Sequence, residues 1–175
     1  LPLYKSIDTK LPREDRWAQL ETLIAAEMKK ASKKKSSYTG KAVYSDLDFF
    51  SLGAILKRVT EQDFPEMWES LNARLGLEDT FIHVDNKPVH ARKLYAPVED
   101  LHWTMKMVQG EVHDQNTRAF GGTAPHSGLF GPMKDLARWG LLLRLGIRGS
   151  DKGLAKAKTV QRFARRAVPK TVGDW

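Results

Sequence analysis

The 175-residue sequence contains no cysteine, and this absence removes several kinds of chemistry. A chain without cysteine has no disulfide framework, no thiolate zinc site and no cysteine nucleophile. The sequence also has no uninterrupted apolar run of about 18 residues, the length that a membrane-spanning helix needs. We therefore predict no transmembrane segment. With 41% hydrophobic and 29% charged residues, the chain has enough apolar side chains to bury a core.

Several motifs that carry chemistry are also missing. The glycine-rich phosphate-binding patterns G-x-x-x-x-G-K-S/T and G-x-G-x-x-G do not occur, and neither does the G-x-S-x-G nucleophile turn. The five histidines include no pair at the four-residue spacing that puts two metal ligands on one helix face. We therefore predict no metal and no cofactor. Ser-x-x-Lys occurs once, at Ser32 to Lys35, inside a lysine run where chance accounts for it.

Positive charge is concentrated in two segments of the chain. The sequence has 29 Lys plus Arg against 21 Asp plus Glu, a net charge of +8. Residues 28–41 hold six lysines and no acid, and residues 141–175 hold nine basic residues against two acids. Such segments are either solvated surface or a site for an anionic partner such as nucleic acid. No aromatic side chain lies between the lysines of 29–35, which favours solvated surface over nucleic-acid binding.

The pattern of apolar residues predicts a mainly α chain with little strand. Helices are expected where a capping signal precedes apolar residues at helical spacing. The predicted helices cover about 12–30, 45–62, 64–75, 114–120, 133–145 and 150–167. We expect the second helix to be mostly buried, and we expect Gly76 and Gly146 to end the third and fifth. Short strands are predicted at Thr80–Val84 and Trp103–Val108, and a loop at 121–131.

The last predicted helix is basic and amphipathic. Leu154, Val160, Phe163 and Ala164 recur at roughly helical spacing among basic residues, so we expect this helix to dock one apolar face.

Two segments stand out as candidate parts of a site. Tyr44 precedes a predicted helix N-terminus, whose positive field favours the phenolate and suits the residue to proton transfer. Glu111, His113 and His126 lie in or beside a glycine-rich loop that precedes the 133–145 helix, and they form a plausible pocket wall that binds substrate. A buried structural Tyr and a structural crossing loop are the plainer alternatives.

Five segments of the sequence, in order, are similar to one known family. They are Tyr44-Ser-Asp-Leu-Asp-Phe, Leu75-Gly-Leu-Glu-Asp-Thr-Phe81, Ala96-Pro-Val-Glu99, Gly110-Glu-Val-His-Asp-Gln-Asn116 and Ser127-Gly-Leu-Phe with Asp135-Leu-Ala-Arg-Trp139. The chain thereby resembles serine β-lactamase-like proteins, which include class C β-lactamases, penicillin-binding DD-peptidases and related esterases. It is most similar to the penicillin-binding-protein-4B-like branch.

The resemblance implies an acyl transfer in which the Ser of Ser-x-x-Lys attacks a carbonyl and backbone amides hold the oxyanion. Tyr44 matches the family's proton-transferring Tyr. Asp46 falls where many members carry an Asn that contacts the Lys and the substrate amide. The implied substrates are β-lactams, D-Ala peptides or esters, including peptidoglycan peptides, and the implied location is the periplasm or outside the cell.

The sequence departs from the family pattern at both ends. No credible Ser-x-x-Lys precedes Tyr44, and no Lys/His-Thr-Gly strand motif follows residue 145. We therefore expect the central portion of the fold, whose partners are the missing N- and C-terminal portions, and we expect the isolated chain to be inactive. Residues 1–149 are expected to form the helical region with an exposed Lys-rich loop at 31–43. Residues 150–175 are expected to form a basic helix and the lead-in to a strand. The alternative is a non-catalytic basic helical module that binds an anionic partner.

Overall fold

The computed structural model describes residues 3–33, 45–99 and 107–166, and most of its regular structure is helical. The helices of this part are α1 (Arg13–Lys33), α2 (Asp46–Thr60), α3 (Phe64–Leu75), α4 (Gln115–Ala119), α5 (Met133–Ile147) and α6 (Ala157–Phe163). Two strands, β1 (Phe81–Ile82) and β2 (Leu129–Phe130), pair as a small sheet. The prediction of a mainly α chain with little strand is confirmed. No helix in these ranges is long and apolar enough to cross a membrane.

Local signals in the sequence set most of the helix boundaries. Ser45 begins α2, and its side-chain oxygen accepts a hydrogen bond from the backbone N–H of Leu47 at 3.2 Å. Asp114 begins α4 in the same way, with the N–H of Thr117 donating at 2.6 Å. Gly76 follows α3 at φ +63°, a backbone conformation that glycine adopts without steric cost. These three predicted boundaries are confirmed.

The prediction that the second helix is mostly buried is wrong. Only Phe50 and Gly53 of α2 are buried, whereas Leu52, Ile55 and Val59 are 56%, 57% and 76% exposed. The apolar side chains of α2 cover more of its surface than the neighbouring described residues contact. Hydrophobic content alone therefore overestimates burial.

The carboxyl-terminal helices also differ from the prediction. Helix α5 does not end at Gly146 but continues to Ile147. Gly146 is buried inside the helix because the side chain of Val160 packs against it, and an added Cβ there would lie 2.7 Å from a Val160 methyl carbon. Helix α6 is shorter than predicted and begins only at Ala157. Val160 is buried as expected, but Phe163 is 85% exposed and does not dock.

Two further predictions need correction or fall partly outside the described residues. The Lys-rich loop is predicted at 31–43, but residues 31–33 belong to α1. Residues 34–43 lie outside the described residues. The predicted loop at 121–131 contains the strand β2. Of the two predicted strands, the first contains β1, and most of Trp103–Val108 lies outside the described residues.

The chain divides into two compact units. Among the described residues, the first unit comprises 3–33, 45–67, 82–99 and 107–129, and the second comprises 68–81 and 130–166. The core of the first unit is made of Leu3, Ile7, Trp17, Leu20, Ile24, Phe50 and Phe120. The ring of Trp17 lies 5.9 Å from that of Phe50 and 5.3 Å from that of Phe120, distances typical of packed aromatic pairs.

The second unit is held by the packing of α5 with α6 and by a buried carboxylate. Asp135, in the first turn of α5, is 5% exposed. Its Oδ2 accepts hydrogen bonds from the backbone N–H of Asp79 at 2.9 Å and from the hydroxyl of Thr80 at 2.8 Å. Arg138 donates from Nε to the carbonyl of Leu75 at 2.6 Å, which satisfies a carbonyl at the end of α3.

Candidate active site

Asp46 is the predicted site residue around which the structure is best defined. It is the first residue of α2, which places its carboxylate at the helix N-terminus. Tyr44, the other predicted catalytic residue, lies outside the described residues. The geometry therefore starts from Asp46 and the side chains that contact it, all of which belong to the first unit.

The amide of Asn116 holds the Asp46 carboxylate. Asn116 Nδ2 donates to Asp46 Oδ2 at 3.0 Å, across 70 residues of sequence. The backbone N–H of Tyr4 donates to Asn116 Oδ1 at 3.0 Å. Because a backbone N–H can only donate, the amide oxygen must face Tyr4 and the amide nitrogen must face Asp46. Asn116 is 6% exposed and sits in α4, so the donor is fixed on a buried helix.

His126 lies between two carboxylates. Its Nε2 is 3.2 Å from Asp114 Oδ1 and 3.8 Å from Asp46 Oδ2. Its side chain is 5% exposed, and its ring centroid is 4.9 Å from that of Phe50. Since carboxylate oxygens accept and do not donate when ionised, Nε2 must carry the proton that faces them. Packing against Phe50 fixes the imidazole ring of His126, and its Nε2 faces the carboxylates of both Asp114 and Asp46.

Asp114 is held in its ionised form. Burial alone would raise its pKa, but hydrogen bonds from His126 and from Thr117 outweigh burial and lower the pKa to about 2. This carboxylate therefore both caps α4 and anchors His126. The cluster as a whole presents hydrogen-bond donors to two carboxylates.

The other two predicted substrate-binding residues do not join this cluster. His113 is exposed. Glu111 forms an ion pair with Arg118 at 3.4 Å, and its side chain is 58% exposed. Glu111 and Arg118 line a separate cavity of about 210 Å³, together with His83, Asn86 and Val112.

His83 gives that cavity a buried imidazole. Its Nε2 lies 3.0 Å from the hydroxyl oxygen of Tyr95, and the backbone N–H of His90 donates a hydrogen bond to that oxygen at 3.0 Å. Burial, with a smaller contribution from His90, lowers the pKa of His83 and favours the neutral ring.

One group of side chains in the described ranges could in principle hold a metal ion. Asp46, Asp114 and His126 place one ligand atom each within 4.8 Å of one another. The hydrogen bond from His126 to Asp114 already accounts for their closeness, and Asp46 is paired with Asn116.

The comparison with protein families identifies the fold. A family model described as Beta-lactamase matches residues 2–175, which is nearly the whole chain. The chain belongs to the beta-lactamase family. The predicted resemblance is therefore confirmed at the level of the family, which is a family of hydrolases. No solved structure is significantly similar to the chain.

The matching curated relatives are longer than this chain. Proteins named "Putative D-alanyl-D-alanine carboxypeptidase" from Salmonella paratyphi B and Salmonella newport are each 29% identical to it over 142 residues. The match covers 73% of this chain and 32% of each relative, so it corresponds to about a third of their length.

Two members of the cluster were not predicted as site residues. Both belong to the polar segment 110–116, whose Glu111 and His113 were predicted to form a pocket wall, but neither was named as a site residue. The signal that could have found them is the run Val-His-Asp-Gln-Asn116 itself, in which His113 and Asp114 precede a short helix and Gln115 and Asn116 begin it. The sequence does not show that this helix faces Asp46.

Proposed function

We propose that this chain supplies the Tyr44 and Asp46 portion of a serine-dependent acyl hydrolase or transferase. Membership of the beta-lactamase family supports a hydrolase. The observation that carries the finer proposal is the anchored Asp46 carboxylate, held by Asn116 at the start of α2 only two residues after Tyr44. In this proposal Tyr44 transfers the proton during acylation, and Asp46 contacts the catalytic Lys and the substrate amide.

The proposed substrates are β-lactams, D-Ala peptides or esters. The relatives named as D-alanyl-D-alanine carboxypeptidases favour a D-Ala peptide such as a peptidoglycan stem peptide. For the same reason we place the protein in the periplasm or outside the cell. His126, which the sequence predicts to bind substrate, is proposed here to act through Asp46 instead, and substrate binding by Glu111 and His113 stays a prediction.

We further propose that the 175-residue chain alone does not turn over an acyl substrate. The sequence carries neither a credible Ser-x-x-Lys before Tyr44 nor a Lys/His-Thr-Gly motif after residue 145. A serine nucleophile requires a base that is held within hydrogen-bond reach. The position of Ser32 in a run of lysines does not show that any of those lysines is held in this way.

The deciding experiment is intact mass after incubation with a fluorescent penicillin. It is performed on the 175-residue chain and on any longer product of the same gene. We expect no adduct on the short chain, and an adduct on the longer product that Tyr44→Phe slows strongly. A covalent adduct on the short chain would show that it holds its own nucleophile, with Ser32 as the first candidate. No adduct on either product would refute a penicillin-reactive acyl transferase.

A second candidate function is binding to an anionic partner such as nucleic acid. The observation that favours it is a surface depression of about 720 Å³ lined by Lys158, Arg162, Arg165 and the exposed ring of Phe163. Basic side chains beside an exposed aromatic are suited to phosphate and base contacts. Affinity for single-stranded DNA that falls steeply with salt, and that Phe163→Ala weakens, would support this function. Affinity independent of salt would exclude it.

A further inference from the structure

The proposed role of Asp46 requires a carboxylate whose direction is fixed, and the structure shows what fixes it. Asp46 Oδ2 accepts from Asn116 Nδ2 at 3.0 Å and lies 3.8 Å from His126 Nε2. Asp46 itself is only half-buried and stands at the first position of a helix. Without these contacts more than one staggered rotamer would be open to its side chain.

Asn116 has the geometry of an anchor. Its amide is oriented by the backbone of Tyr4, so the nitrogen has to face Asp46. Its side chain is almost fully buried, and removal of one partner of a buried hydrogen bond leaves the other partner unsatisfied. In the flipped orientation, the amide oxygen of Asn116 would face the Asp46 carboxylate and its nitrogen would face the backbone N–H of Tyr4. Both contacts are unfavourable, so this orientation is excluded.

His126 provides the second restraint. Asp114 holds its Nε2, and Phe50 packs against its ring. The imidazole therefore cannot leave the neighbourhood of Asp46 without breaking the hydrogen bond to Asp114. Asn116 Nδ2 and His126 Nε2 therefore both face Oδ2 of Asp46. No described side chain pairs with its other oxygen, Oδ1.

We propose that Asn116, assisted by His126, is a positioning residue that directs the Asp46 carboxylate toward the substrate. This inference rests on the proposed function, because it assigns Asn116 a part in the same acyl-transfer site. Neither residue is proposed to contact substrate or to exchange a proton with it. The contribution is geometric, and a reacting group misplaced by about 1 Å can cost on the order of 100-fold in rate.

The test is a double-mutant cycle on the two partners of the hydrogen bond. Asn116→Asp places two carboxylates against each other, and Asp46→Ala removes the carboxylate that Asn116 is proposed to position. Gln115→Glu is the matched control, since it adds the same charge one residue away at the start of α4. Two quantities are measured: the thermal midpoint of the 175-residue chain, and the rate of penicillin-adduct formation by the longer gene product.

We expect Asn116→Asp to lower the thermal midpoint and to slow adduct formation by on the order of 100-fold. In the Asp46→Ala background the same Asn116 substitution should cause a much smaller further loss of both, and Gln115→Glu in the parent should change neither. Coupling of the two substitutions in the midpoint but not in the adduct rate would overturn positioning and leave the pair structural only. No coupling in either would show that the hydrogen bond does not hold Asp46.

Two further outcomes separate this inference from its assumptions. If no gene product forms an adduct, a penicillin-reactive acyl transferase is refuted, and the coupling of the two substitutions in the thermal midpoint alone decides whether Asn116 anchors Asp46. Titration with Zn²⁺ alone checks the competing use of the same side chains. Tight binding that is lost on substitution of Asp46, Asp114 or His126 would overturn the inference, because these atoms would then serve as metal ligands.

Discussion

At the scale of single residues, Asp114 has two tasks that share one carboxylate. Its carboxylate accepts from the N–H of Thr117 at the start of α4 and from His126. The first task needs only an acceptor, which an amide oxygen also supplies. The second benefits from a full negative charge, because charge-assisted hydrogen bonds are about twice as strong as neutral ones. An Asp-to-Asn substitution should therefore separate the two tasks.

The lowered pKa of Asp114 predicts a pH-dependent stability. Its pKa is about 2 in the folded chain against an ordinary 3.8. Stabilisation by the ionised form is therefore complete above about pH 5 and is lost as the pH falls toward 2. Reduced for the partial exposure of the side chain, it is worth about 1–2 kcal/mol. Urea unfolding should show Asp114→Asn less stable than the parent at pH 6 and nearly equal at pH 2.

The control for this experiment is Glu69→Gln, which neutralises an exposed carboxyl on α3. It should leave the pH profile close to that of the parent. A stability gap between Asp114→Asn and the parent that stays the same at pH 6 and pH 2 would contradict the assigned charge effect.

The sequence predicted part of the candidate site but not its assembly. Asp46 and His126 were identified from motif and loop patterns, and the structure brings them together, although their roles remain predictions. The pairing with Asn116 could not be predicted, because it joins residues 70 positions apart and depends on how α4 packs. Glu111 carried the same local signal as His126, yet it lies at a different cavity.

At the scale of elements, two helical glycines show opposite packing. In α2, a Cβ on Gly53 would lie 2.8 Å from the ring of Phe64 and even closer to the side chain of Pro125. In α5, a Cβ on Gly140 would have no atom within 4 Å. The first glycine permits close contact inside the first unit, whereas the second only loosens its helix.

Alanine at these two glycines should therefore shift stability in opposite directions. Gly53→Ala overpacks a filled space and should cost about 1–3 kcal/mol. Gly140→Ala improves helix propensity without a clash and should gain about 0.5–1 kcal/mol. The free energy of unfolding in urea measures both, and each variant serves as the other's control. A stable Gly53→Ala protein would mean that Pro125 can move aside.

Element boundaries were more predictable from sequence than element environments. Ser45, Asp114 and Gly76 marked true helix ends because caps act locally. Gly146 misled for the opposite reason: it is kept small so that Val160 can approach, and that contact is tertiary. The burial of α2 was overestimated because an apolar composition does not tell how much of a helix its neighbours cover.

At the scale of the whole molecule, the chain combines excess positive charge with exposed apolar side chains. The net charge is +8. On α2, Leu52, Ile55 and Val59 are each more than half exposed. Contiguous exposed apolar surface promotes association, whereas net charge opposes it. The behaviour of the isolated chain in solution depends on which effect is larger.

We expect the 175-residue chain to self-associate with rising concentration and to bind a hydrophobic dye. Ile55→Lys and Val59→Lys should reduce both without loss of stability, because neither side chain is buried. Gln62→Lys adds the same charge at an exposed polar position and should have little effect. Sedimentation velocity and dye fluorescence measure the outcome. Equal association of all four proteins would place the contact surface elsewhere.

The first unit is discontinuous in sequence, and this has a consequence for its synthesis on the ribosome. The hydrogen bond from the N–H of Tyr4 to Asn116 joins residues 112 positions apart. At about 5–20 residues per second, roughly 6–22 s pass between the emergence of its two ends. During this interval Trp17 of α1 lacks its contact with Phe120, so part of the apolar face of α1 is uncovered. Slower translation of the intervening codons would lengthen that exposure.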